Sequence, residues 1–342
     1  MSTPSPSNEP PLSRWKSLRY RVELAACRLL AWFIPRLSRR NCLRLSWALG
    51  TLAYRVDGRG RSAALGNLEC VFGDRYSPAE RARIATASYR NFVRTMLDLF
   101  WGQNINAETY ANWVMVENVE PLIQRLREEK RGAIFMCLHQ GNWEWTSLVS
   151  PFWDFRLSSV AENFKNPLLT ALFKHLREHT GAAIIPQENS LVRMLKIVLR
   201  GGVTGMLIDL NLRPTQAATV VEAFRGAGPG LLMCVPVLHA VLGQRGKALL
   251  VPLTTRPHAD GRITITLLPP LEPAPGATLQ EITQQCWDSL EPTIVARPEE
   301  WLWAYKHFRY RPRDAARTYP AYSNESSKFE KLRKTVSGEA GG

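Results

Sequence analysis

Gly132-Ala-Ile-Phe-Met-Cys-Leu-His139-Gln-Gly-Asn-Trp-Glu144-Trp145 is the stretch that decides the reading of this chain. Seven mostly apolar residues end abruptly in a histidine, and a small polar turn follows. The run Ile134 to Leu138 reads as a buried strand, and His139-Gln-Gly-Asn142 reads as the loop that hands it over to a helix. In open α/β sheets, ligands bind in the crevice at the carboxyl ends of the strands. His139 therefore combines the chemistry of a base with the position of one. With Asn142 as helix cap, Glu144 falls in the first turn, from where it can reach back to the imidazole. A carboxylate on one ring nitrogen fixes the tautomer and leaves the other nitrogen free as general base. A helix amino terminus also favours a carboxylate. The plain structural alternative is a buried histidine bonded to a backbone carbonyl, with Glu144 a solvated acid.

Working outward, further apolar runs predict strands near 157–161 and at 182–186, 203–208, 247–254 and 262–268. Helical patterns fall between them, at 167–179 and 189–200 among others, and helices fill the chain up to about residue 101. Ser77 followed three positions later by Glu80 has the form of a capping box. Strands alternating with helices predict an α/β fold with a central, mostly parallel or mixed sheet flanked by helices. Pro and Gly are scattered rather than clustered, so residues 14–312 read as a single domain. Residues 1–13 and the Ser-, Lys- and Glu-rich tail 313–342 are expected to be disordered. Asp209 closes the run Val203 to Ile208 and should also sit at a strand's carboxyl end.

The 342-residue chain carries a net charge of +14, unevenly spread. Residues 1–66 hold 12 Lys/Arg against three Asp/Glu, which is +9 of the total. Such a segment suits an anionic partner: a membrane surface, nucleic acid or an acidic carrier protein. Val22, Ala25, Ala26, Leu29, Leu30, Trp32 and Phe33 fall mainly at helical spacing, with Arg19, Arg21, Arg28, Arg36, Arg39 and Arg40 around them. Glu23 and Arg28 interrupt the run and Pro35 ends it, so it is too short and too charged to span a bilayer. Residues 14–45 are expected to form an amphipathic, membrane-associating helical segment. No secretory signal is evident, and the six cysteines show no Cys-x-x-Cys spacing. Neither a metal site nor a cofactor is expected. His175 and His179 have ligand spacing, but no second motif completes a site. Nucleic-acid binding is not expected, because no basic motif interleaved with aromatics appears.

His139-Gln-Gly-Asn-Trp-Glu144 resembles the His-x-x-x-x-Asp/Glu motif of glycerolipid-type acyltransferases. More closely it resembles the His-x-Gly-Asn-Trp-Glu form of the lipid A biosynthesis acyltransferases, the lauroyl and myristoyl transferases. Other segments follow in that family's order: Asn67-Leu68 with Phe72, Tyr89-Arg-Asn91, Lys165-Asn166-Pro167-Leu168 with Arg177, Gly205-Met-Leu-Ile-Asp209, and Pro298-Glu-Glu-Trp301-Leu-Trp303 with Lys306-His307-Phe308-Arg309. The resemblance runs from about Arg19 to Pro312. The chain departs from the family where Ala161-Glu162 replaces a basic residue and where Phe224-Arg225-Gly226 replaces Phe-Phe-Gly.

The resemblance implies direct acyl transfer at the cytoplasmic face of the cell inner membrane. His139 would take the proton from an acceptor hydroxyl, Glu144 would orient it, and the alkoxide would attack an acyl thioester. The donor would be an acyl carrier protein thioester or acyl-CoA, and the acceptor a lipid A precursor or similar lipid. Asn142, Arg177, Asp209 and Arg225 are candidate substrate-binding residues. The oxyanion would be held by backbone N–H groups near Gly141 or by an arginine such as Arg177. No Gly-x-Ser-x-Gly elbow suggests an acyl-enzyme. The alternatives are acylation of another amphiphile, such as a lysophospholipid, aminolipid or polyene lipid, and a non-catalytic basic membrane-binding protein on a degenerate acyltransferase scaffold.

Overall fold

The computed structural model describes residues 13–161, 164–186, 188–226 and 229–336. Four helices open the chain: α1 (Arg14–Phe33), α2 (Arg39–Val56), α3 (Gly58–Phe72) and α4 (Pro78–Trp101). A short α5 (Tyr110–Trp113) leads into β1 (Val114–Glu117) and α6 (Val119–Glu129). The α/β body continues with β2 (Ala133–Cys137), α7 (Trp143–Val149), β3 (Ser158–Ala161), α8 (Pro167–Glu178), β4 (Ala183–Pro186), α9 (Ser190–Leu199) and β5 (Val203–Leu207). A hairpin follows, β6 (Ala218–Ala223) and β7 (Leu231–Pro236), then α10 (Leu238–Gly246), β8 (Leu249–Pro257), β9 (Ile263–Leu267), α11 (Leu279–Ala296) and α12 (Ser327–Val336).

The central sheet has the order β1-β9-β8-β2-β5-β3-β4. Its pairings are parallel except for β8 with β9. Successive side chains of a strand point to opposite faces, and β2 uses both. Ile134, Met136 and Leu138 enter one buried cluster, with Met194 of α9, Ala240 of α10 and Trp287 of α11. Ala133 and Phe135 enter the other, with Leu97 of α4, Leu122 of α6 and Leu176 of α8. The central strand thus lies between two helical layers. Its carboxyl end opens between its neighbours β5 and β8.

The predicted strands are present, and β1, β6 and β7 are additional. The capping box of α4 is present, with Ser77 and Glu80 bonded reciprocally. The expected disorder of residues 1–13 concerns residues outside those described, except Ser13, whose hydroxyl caps α1. The tail expectation needs correction, because residues 313–336 are ordered. Tyr319 and Tyr322 hydroxyls accept from the amides of Leu232 and Phe308. Phe329 of α12 is fully buried against Ala218, Val220 and Cys234 of the hairpin. A few well-placed aromatics outweigh the polar composition of that segment. Among the described residues, no helix is long and apolar enough to cross a membrane.

Two fully buried histidines set an acid limit on this fold. Burial holds the imidazoles of His239 and His307 down to about 4. Both ring nitrogens of His239 lack a hydrogen-bond partner among the described residues. The rings are neutral in the fold and take up protons once the chain unfolds. The unfolded chain therefore binds more protons between pH 4 and 6.5. Stability falls as pH falls through that window, by up to about 3 kcal/mol per ring. His239→Leu should leave the thermal midpoint at pH 7 unchanged or raised and should shrink the loss on moving to pH 5. Unfolding scans at the two pH values check this, and an unaltered acid loss would show that His239 does not contribute.

Candidate active site

β2 pairs in register with β5, Cys137 opposite Leu207, so the residues just past the two strands meet. His139 follows β2 and Asp209 follows β5. The His139 amide donates to Asp209 Oδ2 at 2.9 Å, and His139 Nδ1 lies 2.7 Å from Asp209 Oδ1. Trp301 Nε1 donates to Asp209 Oδ2 at 2.8 Å. The Asp209 side chain is fully buried. Burial alone would raise its pKa, but His139, then His307 and the Trp301 N–H, hold it below the usual carboxylate range. An ionised Asp209 can only accept, so it places the imidazole proton on Nδ1 and leaves the Nε2 lone pair as the basic site. The His139 ring retains slight exposure and meets Trp143 edge-on at 5.0 Å.

The loop from His139 to Asn142 is held from several directions. Gly141 has φ +62°, and a Cβ there would lie 2.2 Å from the Thr255 carbonyl oxygen, so only glycine fits. Its amide donates to the Glu300 carbonyl, and its carbonyl accepts from Asn91 Nδ2 and Thr95 Oγ1 of α4. Thr255 of β8 accepts from the Asn142 amide and donates to the Gln140 carbonyl. Leu302 N donates to the His139 carbonyl at 3.0 Å. The Tyr89-Arg-Asn91 and Pro298-to-Trp303 segments therefore meet on one loop. The amides of His139, Gly141 and Asn142 all point into the protein, so they are not available to hold an oxyanion.

Glu144 lies in the first turn of α7, as expected, but its partner differs from the sequence expectation. Its carboxylate receives Arg177 Nε at 2.9 Å and Nη2 at 2.7 Å, a bidentate pair with the last turn of α8. The carboxylate on His139 Nδ1 is Asp209. The orienting role assigned to Glu144 is corrected accordingly, because strand register brings a distant acid closer to Nδ1 than the nearby helix does. Burial pushes the Cys137 thiol up, and Asp209 and then Glu144 add to the rise. Both carboxylates therefore flank the end of β2. Arg177 is largely buried; burial opposes its charge, yet Glu144 keeps its pKa above the ordinary value.

The remaining candidates separate clearly. Asn142 is fully buried; its Oδ1 accepts from Trp145 N at 3.2 Å, capping α7, and its Nδ2 donates to Asp98 at 2.8 Å. With both ends of its amide bonded internally, Asn142 shapes the loop. Asp209 is likewise bonded internally, to His139 and to Trp301. Arg225, after β6, pairs on the surface with Asp288 of α11 at 2.6 Å and makes no bond to the loop residues. Asn166 donates to the Tyr20 carbonyl and to Glu23, fastening α8 to α1. Glu162 lies outside the described residues. Sequence reading passed over Asp98, Thr255 and the indole of Trp301 as site residues. The buried position of Asp98 in α4 was visible only as an acid among apolar neighbours, Leu97-Asp98-Leu99.

A family model for bacterial lipid A biosynthesis acyltransferases matches residues 15–310. The lipid A biosynthesis lauroyltransferase of Escherichia coli (strain K12) is 24% identical over 294 residues, covering 84% of this chain and 92% of that protein. The lipid A biosynthesis acyltransferase 2 of Shigella flexneri is 20% identical over 280 residues, covering 80% and 85%. A family match across the whole α/β body, with a carboxylate-held histidine at its strand ends, identifies the chain as an acyltransferase belonging to the bacterial lipid A biosynthesis acyltransferase family.

Proposed function

We propose that this protein moves a fatty acyl chain from an acyl thioester to a hydroxyl of a lipid A precursor, at the cytoplasmic face of the inner membrane. The donor is an acyl carrier protein thioester, with acyl-CoA as the second candidate. His139 Nε2 removes the proton from the acceptor hydroxyl, and Asp209 holds the tautomer and balances the imidazolium that forms. The alkoxide adds to the thioester carbonyl carbon, whose oxygen becomes the oxyanion. Arg177 is the candidate to hold that oxyanion: Glu144 occupies its Nε and Nη2 and orients the guanidinium, and Nη1 would serve the ligand. The intermediate collapses by expelling the thiolate, and the His139 proton accounts for the thiol released. No covalent enzyme intermediate is required. Holding two long-chain partners in register supplies a further part of the rate, since well-oriented groups contribute about 7–11 kcal/mol. The observation that carries this reading is the 2.7 Å contact between His139 Nδ1 and the buried Asp209.

The membrane part of the reading rests on α1 and α2. Trp15, Leu18, Val22, Leu29 and Trp32 of α1 are exposed, as are Trp47, Leu52 and Val56 of α2. Arginines border this apolar surface, and Arg36 lies over the Trp32 ring at 4.3 Å. Exposed tryptophan and leucine among arginines match an interfacial helix that inserts rings at headgroup level and sets guanidinium groups against lipid phosphates.

Mass spectrometry of membrane lipids incubated with acyl thioesters tests the chemistry. Wild type should add one acyl mass to a lipid hydroxyl, and His139→Ala should abolish it. Asp209→Asn should lower kcat roughly 10²–10⁴-fold with little change in KM, because an amide can donate to Nδ1 and favour the wrong tautomer. Arg177→Gln should lower kcat about 10²-fold or more if it holds the oxyanion. Wild-type activity retained in Asp209→Asn would exclude the role proposed for Asp209, and activity retained in His139→Ala would exclude the base.

Co-sedimentation with vesicles containing anionic phospholipid tests the surface. Replacing Trp15 and Trp32 with serine should lower the bound fraction about threefold or more. High salt should weaken what remains. Equal binding by the double variant would remove α1 from the docking surface.

A further inference from the structure

Asp98 lies on α4, outside the reacting groups, yet its carboxylate is fully enclosed. Both terminal nitrogens of Arg39 donate to it, Asn142 Nδ2 donates to its Oδ2 at 2.8 Å, and Arg94 Nε lies 3.6 Å away. Arg39 itself opens α2. Its guanidinium lies over the rings of Trp101 and Trp145, at 4.8 and 4.9 Å, and donates twice to the Gly261 carbonyl. A buried ion pair is a poor source of net stability, because removing two charges from water offsets most of their attraction. An apolar pair of the same volume would hold the helices together as well. What the carboxylate adds is direction.

A carboxylate only accepts hydrogen bonds, whereas the two ends of a carboxamide differ. Asp98 therefore obliges Asn142 to turn its NH₂ toward α4 and its oxygen toward the Trp145 amide. That oxygen is the cap that starts α7. Glu144, the partner of Arg177, lies two residues beyond the cap, and His139 lies three residues before it. The backbone of Asn142 is in turn held by Thr255, which also holds Gln140. One buried acid thus sets the amide on which both halves of the catalytic loop depend.

Resting on the acyl-transfer reading above, we propose that Asp98 is a positioning residue for the reaction: it orients Asn142, and through it the start of α7, so that the His139 and Glu144–Arg177 pairs stand in working geometry. Arg39 neutralises this acid and ties the same contact to the helices that carry the exposed apolar surface.

The test compares the double variant R39M/D98L with wild type, alone and combined with N142S. The apolar pair removes the Arg39 and Asp98 charges but leaves Arg94 without its acid and Asn142 Nδ2 without its acceptor, so a lowered unfolding midpoint is expected and kcat is read well below it. Its kcat should fall tenfold or more while KM stays within about threefold, since alignment rather than substrate binding is lost. N142S should produce a similar fall in the wild-type background and little further fall in R39M/D98L, because residues acting in series are not additive. Near-wild-type kcat in R39M/D98L, or losses that simply multiply, overturn the proposal. Should the apolar pair fail to fold, R39M/D98N is compared with R39M/D98S. The amide at position 98 still reaches Asn142 and the serine hydroxyl does not, so the first must turn over at least tenfold faster; equal rates overturn the proposal. Wild type in the same assay tests the function itself. If it transfers no acyl chain from any thioester, that reading falls, and the nitrogen-NMR signals of the His139 ring become the readout. Those signals must shift alike in R39M/D98L and N142S, and unshifted signals overturn the positioning role.

Discussion

Everything in this site hangs on the contact between His139 Nδ1 and Asp209, made where two neighbouring parallel strands stop. Because β2 and β5 are in register, neither residue needs a flexible reach to find the other. The His139 amide binds the same carboxylate as the ring, so ring and backbone share one reference point. Trp301 closes the second Asp209 oxygen, and its own ring stacks on His307 at 3.9 Å. The carboxyl-terminal Trp-x-Trp block is therefore the floor beneath His139 and Asp209. Its tryptophans are core residues, but one of them also uses its N–H to keep Asp209 an acceptor for the histidine.

Three enclosed polar pairs lie around α7, a helix of seven residues: His139 with Asp209, Glu144 with Arg177, and Arg39 with Asp98. None is an efficient way to stabilise a fold, since each has to overcome several kcal/mol of desolvation per ion. Their common feature is geometric. Each crosses between neighbouring elements: β2 to β5, α7 to α8, and α2 to α4. Apolar contacts fix how close these elements come, while directed bonds fix how they are turned. An acyl transfer of the kind proposed above needs the second kind of constraint.

The strands and the position of His139 were legible because burial leaves a direct trace in sequence, a run such as Ala133 to Leu138 that stops at a polar turn. The cap role of Asn142 and the first-turn place of Glu144 were legible for the same local reason. The partner of the histidine was not. Nearness along the chain pointed to Glu144, whereas the acid on Nδ1 is 70 residues away. Only the order of strands, with β5 beside β2, makes it a neighbour. Asp98 was hidden more deeply, since an acid in a helix ordinarily faces water and nothing local marks the arginine that meets it from α2. The β6–β7 hairpin and the ordered tail escaped because their stability is mutual: Phe329 packs on strands that the tail itself helps to cover.

The segments that carry the family resemblance are joints between elements. Asn91 joins α4 to the loop through the Gly141 and Glu300 carbonyls. Asn67 joins α3 to the carbonyls of Trp303 and Tyr305. Asn166 joins α8 to Tyr20 and Glu23 of α1, while Tyr20 returns a bond to the Lys165 carbonyl at 2.7 Å. An asparagine carries a donor and an acceptor on one short arm, so it can bind irregular backbone that no secondary structure pairs. The last of these joints has a mechanical consequence. α8 carries Arg177 in its final turn, and its first turn is fastened to α1, whose outer face is apolar and arginine-bordered. Arg39 links α2 to the other side of the same loop. The amino-terminal helices therefore connect to the site at both of its edges, through α8 to the arginine and through α4 to the loop of the base. The exposed apolar surface and the candidate active site are here parts of one framework, joined by directed bonds.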